Sequence, residues 1–412
     1  MSELTLESHL QRVPDLVVEL DSSNCARIHH EGKVLRLSAD AIAVLDVFHD
    51  RCALGDALAR LAPRLPSRTA LEEVLTTVAQ LRNAGILQTS MPAGFSPLTY
   101  PFGGYDAGYI HLTILNDIVR KSAFLRAIRE VVRPSDVVLD LGTGSGLLAV
   151  EAARAGARKV YAIEPSAFIR MAEQVASRNG VGGHIEFIQG WSSRVSLPSK
   201  ADVLITDIIG NEPLDMRIWE TVQDARERLL TPDARLIPNR ISLYACLAEF
   251  PAETLSRHKT TPEQVSAWER AYGMDFSPLL EASQRQTLSF YIKPEEAQQW
   301  TLLSAPELVY TIDFRDQSPN FDVRRQCCAS RSGTASGFLV YFEAELSPSV
   351  VLSTAPAQGN AQSHWFCSAW ALPRAQTVQP GDAISFRYRY TGDGRSRLDP
   401  ENDLSDAERA GL

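Results

Sequence analysis

The sequence predicts an α/β chain with a β-rich C-terminal part, and three observations predict it. A complete βαβ unit lies between Val137 and Ser166; three strand-like runs and then three helical ones fill the first 90 residues; beyond Pro238 the pattern turns to two-residue alternation. A length of 412 residues exceeds one ordinary core and suits two or three domains. The apolar fraction of 44% and charged fraction of 22% are those of a globular protein, and the net charge of −9 argues against a nucleic-acid partner or an anionic-membrane surface. No run of 18 apolar residues occurs, and the N-terminus lacks the basic start and apolar stretch of a signal peptide, so a cytoplasmic location is expected. Six cysteines, at 25, 52, 246, 327, 328 and 367, show no metal-ligand spacing and read as reduced thiols; no metal is expected.

In chain order, Leu16–Leu20, Cys25–His29 and Lys33–Leu37 read as strands, the last two joined as a hairpin through Glu31-Gly32. A helix then starts at Ser38 and carries Ile42, Leu45 and Phe48. A second carries Leu54, Leu58, Leu61 and Leu65. The third places Leu71, Leu75, Val78 and Leu81 on one face, with Thr69 and Glu72 as a capping box and Gly85 as a stop. Residues 1–90 therefore read as a small winged-helix-like domain. The outer face of its third helix offers Glu72, Glu73, Thr76, Thr77 and Gln80, which would repel phosphate. The segment Arg27–Leu87 resembles the peptide-recognition domain of enzymes that modify ribosomally made peptides, related to the small chaperone of pyrroloquinoline quinone synthesis. That resemblance implies a precursor peptide as partner, its leader added as a strand beside Lys33–Leu37 and against the helix Thr69–Asn83. Residues 91–100, rich in proline and glycine, read as a linker.

Within the βαβ unit, the apolar run Val137–Leu139 ends in Asp140, and glycines follow at 142, 144 and 146. Leu147–Ala155 continues as a helix that Gly156 caps, and a second strand, Lys159–Ile163, ends at Glu164. This is the start of a Rossmann-like domain, spanning residues 101–237. A dinucleotide fingerprint would need a glycine where Leu147 stands. The spacing G-x-G-x-G below an acid instead resembles motif I of class I methyltransferases that use S-adenosylmethionine (SAM). It implies that Gly142 and Gly144 admit the cofactor, that Asp140 faces its ammonium, and that Glu164 accepts hydrogen bonds from the ribose hydroxyls.

From Pro101 to about Tyr390 the chain resembles the protein arginine methyltransferases. Phe102, Tyr105, His111, Asp117 and Arg120 match that family's cap over the cofactor, although Pro101 stands where a tyrosine is usual. The resemblance implies that Arg120 pairs with the SAM carboxylate, a task suited to a planar fork, and that His111 holds the same end. Two further strands, Ile185–Gly190 and Ala201–Asp207, are each followed by a loop at the cofactor edge. In the first loop Ser193 would meet adenine in place of the family's glutamate. In the second, Asp207 replaces the first of two glutamates that clamp a guanidinium, and Met216 stands at the second, with Glu212 or Asp215 close enough to substitute. Residues 238–392 read as a β-barrel domain. Within it, Trp268–Asp275 resembles the helical arm, about residues 250–285, through which the family dimerises, implying a homodimer. Ser363-His364-Trp365 resembles the family's Thr-His-Trp loop and implies that His364 reaches Asp117. The polar tail, residues 393–412, is expected to be poorly ordered. Together these readings imply a SAM-dependent peptide N-methyltransferase acting on an arginine of a precursor peptide. Alternatives are another peptide nucleophile (histidine, lysine, carboxylate or backbone nitrogen) and a non-catalytic SAM- and peptide-binding protein.

Overall fold

The computed structural model describes residues 5–13, 16–20, 25–30, 33–64, 67–89, 108–316, 320–358, 362–390 and 396–401. The chain divides into two compact units, residues 1–107 and 108–412.

The first unit contains β1 (His9–Arg12), β2 (Val17–Leu20), β3 (Cys25–His30), β4 (Lys33–Ser38), α1 (Ala41–Val47), β5 (Cys52–Ala53), α2 (Leu54–Leu61), α3 (Arg68–Asn83) and β6 (Leu87–Gln88). Strands β2, β3 and β4 form an antiparallel sheet in that order, with β4 at its edge. A second sheet, β5-β1-β6, was not legible in the sequence, because its two-residue strands carry no alternation. The apolar faces of the helices close over Leu10, Ile28, Phe48, Leu81 and Ile86. Ser38 ends a strand and does not open α1, which starts three residues later. The cap of α3 is Ser67, whose extended backbone lets the hydroxyl accept from the Ala70 amide, 3.2 Å away, so position 69 lies inside the helix and not at its cap. The buried row of α3 is Val74, Val78 and Leu81, and Leu75 is 39% exposed.

The second unit opens with α4 (Gly108–Asn116) and α5 (Ile118–Val131). Then come β7 (Val137–Leu141), α6 (Leu147–Arg154), β8 (Lys159–Glu164), α7 (Ile169–Arg178), β9 (Ile185–Gln189), β10 (Ala201–Thr206), α8 (Ile218–Arg228) and β11 (Leu230–Ile237). Five parallel strands lie in the order β11-β10-β7-β8-β9. The central β7 is buried at every position, as a strand covered on both faces must be. The order reverses between β7 and β10, and that switch point brings the carboxyl ends of β7, β8 and β10 to one edge, where Rossmann-like folds bind their ligands.

The chain continues through β12 (Arg240–Glu249), the arm helices α9 (Ala252–His258), α10 (Pro262–Tyr272) and α11 (Ser277–Arg285), β13 (Leu288–Ile292), α12 (Pro294–Ala297), β14 (Thr301–Leu302), β15 (Glu307–Asp313), β16 (Phe321–Cys328), β17 (Gly333–Ser347), β18 (Val350–Ser353), β19 (Cys367–Val378), β20 (Ala383–Tyr390) and β21 (Ser396–Glu401). A barrel-like sheet runs β13-β19-β17-β12-β14, with β15 on β12 and β18 on β17; β16-β20-β21 form a second antiparallel group. The expectation of a poorly ordered tail, residues 393–412, is corrected for residues 396–401 alone; residues 393–395 and 402–412 lie outside the described residues. Residues 396–401 pair along β20, with Leu398 buried and Arg389–Asp399 and Arg324–Glu401 ion pairs offsetting the polar composition. Among the described residues, no helix is long and apolar enough to cross a membrane.

Candidate active site

The site is built at the carboxyl edge of the parallel sheet. Gly142 and Gly144 take left-handed conformations, φ 75° and 50°, which glycine adopts without strain. A Cβ on Gly142 would lie 2.7 Å from the Ile208 side chain, and one on Gly144 3.1 Å from the His111 ring, so the turn is pressed between two neighbouring segments. Glu164 fixes this turn: one carboxylate oxygen accepts from the Gly144 amide and the other from the Ser166 amide, each at 3.0 Å. The Thr143 hydroxyl donates to Asp140 Oδ2 at 2.6 Å.

Two buried polar atoms here have no hydrogen-bond partner among the described residues: Asp140 Oδ1 and Arg120 Nη1. Orphaned groups of this kind are costly unless a ligand satisfies them. One is an acceptor and one a donor, which matches the ammonium and carboxylate of an amino-acid moiety, so the residues present fit SAM. Burial pushes the Asp140 carboxyl up to about 7, against the Thr143 hydroxyl and the Lys121 ammonium. His111 is buried and stacks on Phe168, with ring centroids 3.6 Å apart. Ser193 is exposed on the short 3-10 turn after β9. Phe102 and Tyr105 lie outside the described residues.

Asp207 follows β10 and is clamped by two cations. Arg120 donates to Oδ1 from Nε at 3.0 Å and from Nη2 at 2.6 Å, and Nη2 also reaches the Asp207 carbonyl; Lys121 Nζ stands 2.5 Å from Oδ2. Burial alone would raise the Asp207 carboxyl, but Arg120 and then Lys121 outweigh it and hold it below the usual range. Lys121, next to Arg120 on α5, is the partner that sequence reasoning missed. The Arg120 guanidinium also lies 3.7 Å over the Trp365 ring, whose Nε1 donates to the Ile209 carbonyl at 2.8 Å. Trp365 thus locks the arginine and the 207–216 loop together.

Asp117 caps α5, accepting from the Arg120 amide at 3.3 Å. Its contact with His364 is made differently from the expectation: the His364 backbone amide, not the ring, donates to Asp117 Oδ2 at 3.0 Å. Burial, and then Arg120, lowers the His364 ring's affinity for a proton.

The expectation that Glu212 could serve as a second clamp is corrected by its burial in the barrel. Tyr388 donates to Oε2 at 2.5 Å and Trp370 Nε1 to Oε1 at 3.2 Å, and the residue is 4% exposed. Asp215 accepts from the Tyr291 hydroxyl at 2.7 Å. Both ties fasten the loop to the β domain. Burial pushes the Glu212 carboxyl from 4.5 to about 7. Because folding raises this acid, the native state favours its protonated form, so its contribution to stability is fully present below pH 4.5 and falls as pH rises toward 7. The Glu212→Gln variant is expected to gain stability relative to wild type across that window, by up to about 3 kcal/mol. Denaturant midpoints measured across the range check this; a constant difference would count against it.

Residues 122–237 match the ribosomal protein L11 methyltransferase family, and residues 252–399 match the arginine methyltransferase oligomerization subdomain. The chain is similar to the protein arginine methyltransferases. It is similar to protein arginine N-methyltransferase 1 of Schizosaccharomyces pombe, 28% identical over 306 residues, 73% of this chain and 87% of that protein. It is also similar to the histone-arginine methyltransferase CARMER of Drosophila willistoni, 26% identical over 342 residues, 81% of this chain but only 62% of that protein. Among solved structures, a Trypanosoma brucei PRMT1 enzyme–prozyme heterotetrameric complex with AdoHcy matches with a TM-score of 0.63 at 23% identity, over 74% of this chain and 96% of that one, and supports the fold. The chain is accordingly a SAM-dependent methyltransferase.

Proposed function

We propose that this enzyme methylates an arginine guanidine in a ribosomally made precursor peptide whose leader docks on residues 1–90. The observation that carries the reading is Asp207: a buried carboxylate at the end of β10, joined through Arg120 to the orphaned Nη1 at the cofactor site. When bound, SAM supplies an electrophilic methyl. Arg120 Nη1 and Asp140 Oδ1 hold its amino-acid end, and Glu164, with lone pairs left on both oxygens, takes the ribose. Asp207 receives the acceptor guanidinium and draws its positive charge toward the held nitrogens, leaving another nitrogen free to attack. Asp215, on the same loop and less buried than Glu212, assists. His364 and Asp117 act by position, tying the 363–365 loop to the helix that carries Arg120. Alignment of two bound reactants supplies on the order of 7 kcal/mol or more.

Support for the leader site is the edge position of β4, with Val34 58% exposed, and the exposed Leu75 on α3, as a peptide adding a strand requires. Docking there raises the local concentration of the acceptor. Exposed Tyr272, Met274 and Leu279 on the arm support homodimer formation, and the six cysteines, none of them in a disulfide, suit a reducing cytoplasm.

Incubation with isotope-labelled SAM and a pool of precursor-like peptides, read by tandem mass spectrometry, tests the proposal. Label on arginine in leader-bearing peptides is expected. Label only on another residue overturns the arginine assignment, and SAM binding without any label indicates a binding protein.

A further inference from the structure

Lys121 occupies the oxygen of Asp207 that Arg120 leaves. Its ammonium stands 2.5 Å from Oδ2, and the two side chains are only 11% and 7% exposed, so this pair is not a solvated surface contact. Arg120 meanwhile fills Oδ1 and the main-chain carbonyl. One carboxylate therefore faces two cations before any acceptor arrives. Glu212 is bonded into the barrel, and Asp215, which accepts from Tyr291, only assists. A guanidinium approaching Asp207 would be a third cation in a buried setting, where like charges repel far more strongly than in water.

We propose that Lys121 is an internal competitor for the acceptor: its ammonium holds the place on Asp207 that a substrate guanidinium must take. This rests on the reading above that Asp207 receives the acceptor. The consequence is selectivity. A free arginine peptide competes poorly against a tethered ammonium, whereas a peptide held by its leader is present at a local concentration that displaces it. Lys121 is thus a specificity-determining residue, and a lysine suits the part because its ammonium sits on a flexible stem and gives up its proton when buried. The charged and titratable groups around it are Asp207 after β10, Asp140 at the end of β7, Arg120 on its own helix and His364 of the 363–365 loop. Burial lowers its proton affinity, against the pull of Asp207. Rising pH therefore discharges the competitor.

The test compares full-length wild type with Lys121→Met, using arginine peptides with and without the leader and labelled SAM. The variant should lower the KM of the leaderless peptide by about tenfold or more, the factor expected if the clamp is free about one-tenth of the time. The KM of the leader-bearing peptide should move far less, both proteins being compared at saturating SAM because Lys121 also lowers the Asp140 carboxyl. In wild type the leaderless KM should fall as pH rises; in the variant it should not. A leaderless KM that stays constant or rises in Lys121→Met overturns the competition. So does a wild-type KM independent of pH, a measurement that stands even where the variant does not fold. Absence of arginine label in both proteins, with SAM bound, overturns the acceptor assignment of Asp207 and the competition with it.

Discussion

Asp207→Asn is expected to lower methyl transfer by roughly 10²–10³-fold, the loss typical when one preorganised electrostatic group is removed from a site. It is also expected to cost about 3–5 kcal/mol of stability, because it strands Arg120 and Lys121 as buried cations without their carboxylate. The two effects separate by variant. Asp207→Glu keeps the charge and reaches one methylene further, so it should recover most of the stability and part of the activity. Lys121→Met added to Asp207→Asn removes one stranded cation, so the pair should be less destabilised than the sum of the singles. The sign with pH follows from the cations, which hold the Asp207 carboxyl below its ordinary 3.8. The stability gap between wild type and Asp207→Asn is then full above pH 3.8 and closes as pH falls through the depressed native value. Transfer retained within tenfold of wild type, at unchanged SAM affinity, would show that the acceptor is held elsewhere.

What the sequence made legible was local. The βαβ unit declared itself because strand, glycine turn and helix lie within 30 residues, and Asp140, Gly144 and Glu164 do come together at one strand edge. Arg120 and Asp207, 87 residues apart, were each marked by position in a family pattern, but their direct contact was not expected. Lys121 was invisible for a physical reason. On α5 the usual pattern is inverted: Ile118 and Val119 are 64% and 54% exposed, while Arg120 and Lys121 are buried. Periodicity would assign the charged pair to solvent, and only the carboxylate waiting at the end of β10 reverses that. The orientation of Glu212 depends on Trp370 and Tyr388, 158 and 176 residues further on, and nothing in the loop encodes it. Ser67 was overlooked as a cap in favour of Thr69, two residues on, in a segment where either hydroxyl suits the role.

SAM affinity is expected to weaken by about tenfold for each pH unit below neutrality. Asp140 is the cause. Burial raises its carboxyl to about 7 in the free protein, yet the ammonium that the orphaned Oδ1 fits needs the ionised form. Binding below pH 7 must therefore expel a proton, and affinity falls as pH falls through the native value. An α-amino group with an ordinary affinity, about 7.7–8.0, stays charged throughout that range and adds no slope of its own. Asp140→Asn should bind SAM about 10–100-fold more weakly at about pH 7.5, the loss of one charge-assisted hydrogen bond in a buried site, and its affinity should not vary between about pH 5.5 and 7. Calorimetric titration in buffers of different ionisation heat reads the proton directly: release at pH 6 in wild type, none in the variant. Glu212 also titrates near 7 but lies among barrel side chains, so Glu212→Gln should leave the slope in place. If Glu212→Gln flattens it and Asp140→Asn does not, the proton belongs to the loop's attachment to the barrel, and the cofactor's ammonium does not meet Asp140.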